Sequence, residues 1–231
     1  MSRKVIVDDD YEDIIIRERT GGLAHSEKIS SSRDDKVPKG LEVHNDVIDE
    51  KASDELFEFL DGKKWKSLSD SKNSRKVQHY GYVYDYKSRS VSQKGEEIPD
   101  LFQPLIEYLI NKTGISSFPE EKLAEQDSFN QVIVNNYEAG QGISAHTDVK
   151  DYGKVIACFT IGSGAMMRFT KDSSEYDLYV KANSVYIMSG ESRYKWKHEM
   201  ISRKSDVLDG KKIQRGRRIS ITFRTVEFKT V

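Results

Sequence analysis

Residues 155–188 read VIACFTIGSGAMMRFTKDSSEYDLYVKANSVYIM. Four short runs rich in β-branched and aromatic residues follow one another here, with glycine, serine and asparagine between them. The runs are Val155–Ile161, Met166–Thr170, Tyr176–Val180 and Ser184–Met188. Short strands at such spacing, separated by turn residues, are typical of a β-sandwich or jelly roll and not of a parallel α/β sheet. This stretch therefore predicts a mainly β fold.

Two helical patterns precede the strands. Asp49 stands at the N-cap position before apolar residues at helical spacing, and that pattern ends at Gly62. A second pattern begins at Pro99 and stops at Gly114. The fold class expected is α+β, mainly β, in which N-terminal helices brace one side of a jelly roll.

The first 38 residues differ in character from the remainder. They contain Gly21–Gly22 and a serine-rich, charged stretch at 30–36, without hydrophobic periodicity. Such composition predicts a poorly ordered charged arm. Residues 39–231 are expected to form one folded domain, because 231 residues suffice for one sizeable core but are short for two.

The composition excludes several classes of protein. The chain has no apolar run long enough to span a bilayer, and Asp8–Asp10 interrupt any signal-peptide core. A single cysteine, Cys158, allows neither an internal disulfide nor a cysteine-based zinc site. We expect a soluble, intracellular, monomeric protein without membrane contact, in the cytoplasm or the nucleus, whose metal ligands are histidine and carboxylate.

The charge is unevenly distributed. The chain holds 37 Lys+Arg and 38 Asp+Glu, a formal net charge of -1. From Glu191 to Val231, however, 12 basic residues face 5 acidic ones, a local excess of +7. A net charge near zero therefore excludes a uniformly cationic protein but allows a basic surface that contacts nucleic acid.

Three residues could hold a metal ion. His146 and Asp148 are two positions apart, so both side chains would point to the same face of a strand. His198 could complete a set of two imidazoles and one carboxylate, which leaves coordination positions open and suits a non-haem Fe(II) oxygenase. At this point three unrelated polar residues remain an equally good interpretation.

A second feature is the segment from Arg218 to Arg224, RISITFR, in which polar and apolar residues alternate. Its polar residues share one face of a strand. Arginine inside a sandwich is unfavourable unless an anion meets it, and guanidinium binds carboxylate through two hydrogen bonds. A dicarboxylate co-substrate would satisfy both arginines, whereas a zinc hydrolase or a non-enzymatic binding module would need neither. An edge strand with a solvated face is the competing interpretation.

Several motifs occur in a fixed order along the chain. They are VQHYGY at 77–82, NNYEAGQGI at 135–143, HTD at 146–148, GESRY at 190–194 and the closing Arg218–Arg224 segment. In order and spacing, from about Val77 to Val226, they resemble the AlkB-type Fe(II)/2-oxoglutarate-dependent dioxygenases, which act mainly on nucleic acids.

The resemblance implies a double-stranded β-helix and assigns roles by position. The iron ligands would be His146, Asp148 and His198. Four residues would bind 2-oxoglutarate: Asn135, Tyr137, Arg218 and Arg224. Dioxygen would take the remaining position on Fe(II). Several family members have asparagine where Ser220 stands, which puts a co-substrate contact from that residue in doubt.

The activity implied is oxidative dealkylation, chiefly demethylation, of alkylated bases in DNA or RNA, as in DNA repair or RNA modification. The segment from Gly190 to His198 is also similar to the branch that hydroxylates modified wobble uridines in tRNA. That reaction is the first alternative, and a protein substrate is a further one.

Three residues are candidate substrate contacts: Tyr82, Lys150 and Arg193. Tyr82 belongs to a series of alternating tyrosines, Tyr80 to Tyr86, which could stack on a base or simply form one aromatic strand face packed on the core. DNA-repair members carry an acidic residue at the position of Lys150. Because lysine cannot accept a hydrogen bond, the usual recognition of a methylated adenine amino group is in doubt.

Overall fold

A computed structural model describes residues 37–69, 74–86, 88, 90–112 and 129–226 of the chain. The charged arm predicted over residues 1–38 lies outside these ranges except for its last two residues, and so does Gly114. Within the described ranges, no helix combines the length and the apolar character that crossing a bilayer requires.

The larger of two facing sheets has eight strands in the described part of the chain. In spatial order they are β1 (Leu41–His44), β10 (Ser184–Met188), β7 (Tyr152–Gly162), β14 (Arg218–Val226), β5 (Gln131–Tyr137), β3 (Lys76–Asp85) and β2 (Lys66–Ser67), with β4 (Ser90–Lys94) paired to β3. Each of these pairings is antiparallel. The sequence order is interleaved, since β10 and β14 flank β7, which is the connectivity of a jelly roll.

The smaller sheet has four strands among the described residues: β6 (Ile143–His146), β11 (Lys197–Met200), β8 (Ala165–Lys171) and β9 (Ser174–Val180). A separate hairpin consists of β12 (Ser205–Leu208) and β13 (Lys211–Gln214). The α+β, mainly β jelly roll that the strand spacing predicts is confirmed.

Both predicted helices form, and they pack on the outer face of the larger sheet. Helix α1 (Glu50–Asp61) begins where the Asp49 carboxylate accepts a hydrogen bond from the Ala52 amide at 2.8 Å. Helix α2 (Gln103–Lys112) follows a short 3-10 turn at Asp100–Phe102. Leucines from both helices join apolar residues of β5, β7 and β14 in a single core.

Strand β14 divides its side chains between two environments. Ile219, Ile221 and Phe223 belong to the core beneath the helices. The alternate residues line a cavity between the two sheets: Arg218, Ser220, Thr222 and Arg224. A strictly alternating strand in the middle of the larger sheet therefore places both arginines in the interior of the sandwich.

Strand β3 changes partner at Gly81. Up to and including Gly81 the strand pairs with β5, and from Tyr82 onward it pairs with β4. Gly81 has a φ of 72°, and its amide donates to the Glu96 carbonyl at 2.6 Å. As a result Tyr80 is buried in the core beneath the helices, whereas Tyr82 and Tyr84 pack against the core between the sheets. Because the backbone turns at Gly81, the single aromatic face packed on one core, which was one of the two interpretations of the tyrosine series, does not form.

Candidate metal and co-substrate site

Two histidines meet across the smaller sheet. His146 at the end of β6 pairs directly with His198 on β11, and their ring centroids are 4.3 Å apart. Asp148 lies two residues beyond the end of β6, with its Oδ2 atom 3.6 Å from His198 Nε2. One possible ligand atom from each of the three residues lies within 4.8 Å of the others. The structure thus brings together the three residues that the sequence singled out.

Each of the two imidazoles offers a ring nitrogen to a metal. His146 Nδ1 is 2.8 Å from the carbonyl oxygen of Ser144. A carbonyl can only accept, so Nδ1 carries a proton, and Nε2 is the nitrogen left to face a ligand. Burial lowers the pKa of His198 to about 3, which leaves that ring neutral at physiological pH.

The Asp148 carboxylate has one oxygen satisfied and one free. Its Oδ1 atom accepts hydrogen bonds from Arg224 at 2.9 and 3.2 Å, while buried Oδ2 has no hydrogen-bond partner among the described residues. Burial alone would raise the pKa of this carboxyl, but the positive charge of Arg224 holds the pKa well below its ordinary value. An unpaired buried anionic oxygen beside two imidazoles fits a divalent metal, with the ligand set typical of non-haem Fe(II).

Arg218 presents a second unsatisfied group in the same cavity. Its Nη2 atom donates to the Thr160 hydroxyl at 2.8 Å, and its guanidinium carbon lies 5.7 Å from the centroid of the Tyr137 ring. Its buried Nε has no partner within the described residues. A buried guanidinium without a carboxylate beside it fits an anionic ligand, and a carboxylate of 2-oxoglutarate has that chemistry.

Asn135 and Tyr137 line this cavity beside Arg218. Asn135 Oδ1 accepts a hydrogen bond from Arg75 Nε at 3.0 Å. Because arginine can only donate, this contact fixes the orientation of the amide and leaves its NH2 group to donate into the cavity. The four residues expected to bind 2-oxoglutarate therefore border one space with the metal ligands.

Arg193 has a different environment from the one expected of a substrate contact. It is 2% exposed, and its guanidinium donates to four backbone carbonyls at 2.6–3.4 Å. The acceptors are Asp148, Val149, Tyr152 and Gly153. The loop after β6 folds back onto α3 (Gly190–Tyr194), and its buried carbonyls need donors. Arg193 thus ties the segment that carries His198 to the loop that carries Asp148.

The other two candidate substrate contacts stay predictions. Tyr82 is half-buried at the start of the β3–β4 hairpin, and Lys150 is exposed in the loop after Asp148.

The sequence analysis did not identify Thr160 and Gln131, which accept hydrogen bonds from the two cavity arginines. For Gln131 a signal existed, since the two-residue period that places Asn135 and Tyr137 in the cavity extends back to it.

Comparison with known proteins agrees with this site. The family model described as 2OG-Fe(II) oxygenase superfamily matches residues 45–224. An uncharacterized protein of Acanthamoeba polyphaga mimivirus is 36% identical over 157 residues, covering 66% of this chain and 70% of that protein. The tRNA (carboxymethyluridine(34)-5-O)-methyltransferase ALKBH8 of Macaca fascicularis is 30% identical over 217 residues, covering 82% of this chain but only 31% of that protein.

A similarity to solved structures supports the fold. The structure of OsALKBH1 superimposes with a TM-score of 0.60 at 17% identity, covering 81% of this chain and 97% of that one. The chain belongs to the 2OG-Fe(II) oxygenase superfamily. Within that superfamily, the relatives that it matches include AlkB-type proteins such as the macaque ALKBH8.

Proposed function

We propose that this chain is an Fe(II)- and 2-oxoglutarate-dependent dioxygenase that oxidises an alkylated base in DNA or RNA. The observation that carries the proposal is a pair of unsatisfied buried atoms in one cavity, Asp148 Oδ2 and Arg218 Nε. The carboxylate oxygen of Asp148 suits a cation, and the guanidinium nitrogen of Arg218 suits an anion. Fe(II) together with 2-oxoglutarate would satisfy both.

Different residues of the cavity would bind the metal and the co-substrate. His146, Asp148 and His198 would hold Fe(II), and Arg224 would keep Asp148 Oδ1 occupied so that Oδ2 faces the metal. Arg218, with Asn135 and Tyr137, would grip a carboxylate. When bound there, Fe(II) supplies the oxidation of a substrate C–H bond by dioxygen, coupled to conversion of 2-oxoglutarate into succinate and CO2.

Apolar side chains form part of the cavity wall. Ile156, Met167 and Met188 line its walls beside the polar groups. Excluding water strengthens the interactions of the fixed charges and protects the oxidising site from side reactions. This lining supports a role in C–H oxidation.

The product depends on the atom that carries the oxidised carbon. When a methyl group is attached to nitrogen, hydroxylation gives a hydroxymethylamine. Its C–N bond then breaks, the hydroxyl proton passes to the nitrogen, and formaldehyde leaves with the repaired base. In a duplex the base must first leave the stack, at a cost of about a few kcal/mol.

Hydroxylation of a modified wobble uridine is the second candidate. Oxidation of a carbon-linked substituent would leave a stable hydroxyl group instead of formaldehyde. The similarity to the macaque tRNA methyltransferase across 82% of the chain favours this reaction. Lys150 favours it too, because an acidic reader of adenine is absent at that position.

Mass spectrometry of nucleosides tests the proposal. Purified protein with Fe(II) and 2-oxoglutarate is incubated in air with DNA, mRNA or tRNA, and reactions without 2-oxoglutarate serve as controls. We expect loss of an alkylated nucleoside, or the gain of one oxygen atom in a modified uridine, matched by an equal amount of succinate. Unchanged nucleosides in all three pools, with 2-oxoglutarate still consumed, would contradict a nucleic-acid substrate.

A further inference from the structure

Two arginines donate hydrogen bonds to consecutive asparagines of β5. Arg75 Nε donates to Asn135 Oδ1 at 3.0 Å, and successive residues of a strand point to opposite faces of a sheet. Arg217 Nε donates to Asn136 Oδ1, also at 3.0 Å, and pairs with Asp61 on the helix-covered face. Asn135, in contrast, lines the co-substrate cavity. Of these two hydrogen bonds, the one from Arg75 therefore ends on a side chain of the candidate site.

Arg75 lies on the cavity side of the larger sheet. In the β3–β5 register Val77 stands opposite Asn135, and Arg75, two residues before Val77, continues the same face. Its charge also acts on Tyr137: burial raises the pKa of the Tyr137 hydroxyl, and the charges of Arg75 and Arg218 oppose that rise. No carboxylate among the described residues pairs with Arg75. A half-buried guanidinium thus lies beside two of the residues expected to bind 2-oxoglutarate.

The backbone around Arg75 is held on both sides. The Gln141 side chain donates through Nε2 to the Ser74 carbonyl at 3.3 Å, and its Oε1 accepts from the Glu138 amide at 2.9 Å. Strand β3 begins at Lys76, directly after Arg75. A side chain orients another reliably only when its own backbone is fixed, and these contacts meet that condition for Arg75.

An asparagine amide can present either of two groups to a ligand. A rotation by 180° exchanges its oxygen and its NH2 group with little change in shape. Facing a carboxylate, the oxygen would repel the ligand, whereas the NH2 group would donate a hydrogen bond. Because arginine can only donate, Arg75 holds the Asn135 oxygen away from the ligand and leaves the NH2 group for the cavity. A group that is oriented beforehand binds more tightly, since less conformational freedom is lost on binding.

We infer that Arg75 is a positioning residue for 2-oxoglutarate, which fixes the Asn135 amide with its NH2 group toward the co-substrate. Arg75 is not among the described residues that line the cavity, so it acts through Asn135 and not by contact with the ligand. The inference rests on the proposed function, because its ligand is the co-substrate of that reaction. The competing role for Arg75 is a purely electrostatic attraction of the anionic ligand.

Three substitutions of Arg75 separate the hydrogen bond from the charge. Arg75→Gln removes the charge but keeps an N–H donor, since the glutamine Nε2 stands as many bonds from Cα as the arginine Nε. Arg75→Lys keeps the charge but has a methylene group at that place. Arg75→Met has neither the donor nor the charge.

Calorimetric titration of 2-oxoglutarate in the presence of Mn(II) compares these variants. Arg75→Met and Arg75→Lys should weaken binding about three- to tenfold, the effect of one lost hydrogen bond, while Arg75→Gln should stay within about twofold of the wild type. In succinate formation, the KM for 2-oxoglutarate should rise by the same factor, with kcat at saturation unchanged.

Arg217→Met is the matched control. It removes an Nε hydrogen bond of the same length to the neighbouring asparagine, on the face away from the cavity, and should leave 2-oxoglutarate affinity unchanged. A double variant tests the route of the effect. Asn135→Ala should itself weaken binding, and Arg75→Met added to it should cause no further loss, because Arg75 acts through that amide.

Several results would overturn the inference. They are full affinity in Arg75→Met, a loss in Arg75→Gln as large as that in Arg75→Met, full affinity in Arg75→Lys, an equal loss in Arg217→Met, or additive losses in the double variant. If Arg75→Met fails to fold, the comparison of Arg75→Gln with Arg75→Lys decides. Wild-type protein that binds no 2-oxoglutarate with Mn(II) would instead refute the proposed function, and the inference with it.

Discussion

Arg217 and Arg218 are neighbours in the chain but serve opposite sides of the larger sheet. Arg217 pairs with Asp61 on α1 at 2.6 and 2.8 Å, and its Nε donates to Asn136. Arg218 points into the cavity, where its described partner is the Thr160 hydroxyl and no carboxylate. The pair therefore offers a matched comparison of a structural arginine and a ligand-binding one.

Arg218→Lys should weaken 2-oxoglutarate binding about tenfold or more, because lysine cannot form the paired hydrogen bonds of a guanidinium, each worth about 1.5–3 kcal/mol to a charged group. Arg217→Lys should leave that affinity unchanged and cost at most about 1 kcal/mol of stability. Calorimetric titration of 2-oxoglutarate with Mn(II) measures the difference. Equal losses of 2-oxoglutarate affinity in the two variants would show that Arg218 does not bind the co-substrate directly.

A substitution at Arg193 tests whether this buried arginine anchors the loop that carries Asp148 or contacts the substrate. Arg193→Met leaves several buried carbonyls without donors and should lower the free energy of unfolding by about 2–4 kcal/mol. Metal affinity should fall with it, since the Asp148 loop loses its anchor. Urea unfolding and Mn(II) titration check both effects. An unchanged stability with loss of nucleic-acid binding would restore the role expected from the sequence.

Strand β3 depends on glycine at the point where it changes partner. A Cβ atom at Gly81 would overlap the Asn130 carbonyl, and its φ of 72° disfavours any side chain. Gly81→Ala should therefore lower the free energy of unfolding by about 2–4 kcal/mol. It should also impair substrate turnover more than 2-oxoglutarate binding.

Gly210→Ala is the control for this substitution. Gly210 has a similar φ of 75°, but an added Cβ meets nothing within 4 Å. Gly210→Ala should lower the free energy of unfolding by only about 1 kcal/mol, from backbone strain alone. Equal losses of stability in the two alanine variants would show that contact with Asn130 does not matter.

The β12–β13 hairpin is anchored by Asp206, which accepts hydrogen bonds from Arg203, Arg215 and the Met166 amide. Burial opposes its ionisation, but these donors keep the pKa of Asp206 below its ordinary value of 3.8. A lowered folded-state pKa gives stability that is present above pH 3.8 and is lost as the pH falls through the folded-state pKa.

Asp206→Asn should therefore lower the free energy of unfolding by about 3 kcal/mol at pH 7, because it leaves two arginines without their carboxylate. The gap between wild type and variant should narrow at pH 3. Urea unfolding at the two pH values measures this change. A gap that is the same at both would rule out the ionised carboxylate as the anchor.

Elements with strong local patterns could be predicted from sequence, and those that depend on distant pairing could not. Strand β10 has the predicted bounds, and the alternation in β14 correctly placed both arginines on one face. The turn at Gly81 escaped prediction because it depends on where β5 begins and β4 ends. The environment of Arg193 also escaped prediction, because the carbonyls that accept its hydrogen bonds lie 40 to 45 residues away in the chain.

At the scale of the molecule, the basic C-terminal segment is less exposed than its excess of +7 suggests. Arg193, Arg218 and Arg224 are buried around the site, and Arg203 and Arg215 pair with Asp206. Lysines supply much of the exposed positive charge that remains in the described part of this segment, including Lys204, Lys211 and Lys212. The positive charge exposed in the described part of this segment is therefore modest.

We propose that the jelly roll carries one oxidising centre, held by His146, Asp148 and His198. The most direct test is succinate formation when anaerobic protein loaded with Fe(II) and 2-oxoglutarate is exposed to air. Wild-type protein should form succinate, and folded Asp148→Ala should form none, because two imidazoles alone hold the metal poorly. Two results would contradict an oxidising centre that depends on Asp148. One is succinate formation that persists in Asp148→Ala, and the other is wild-type protein that forms no succinate with any metal or nucleic acid supplied.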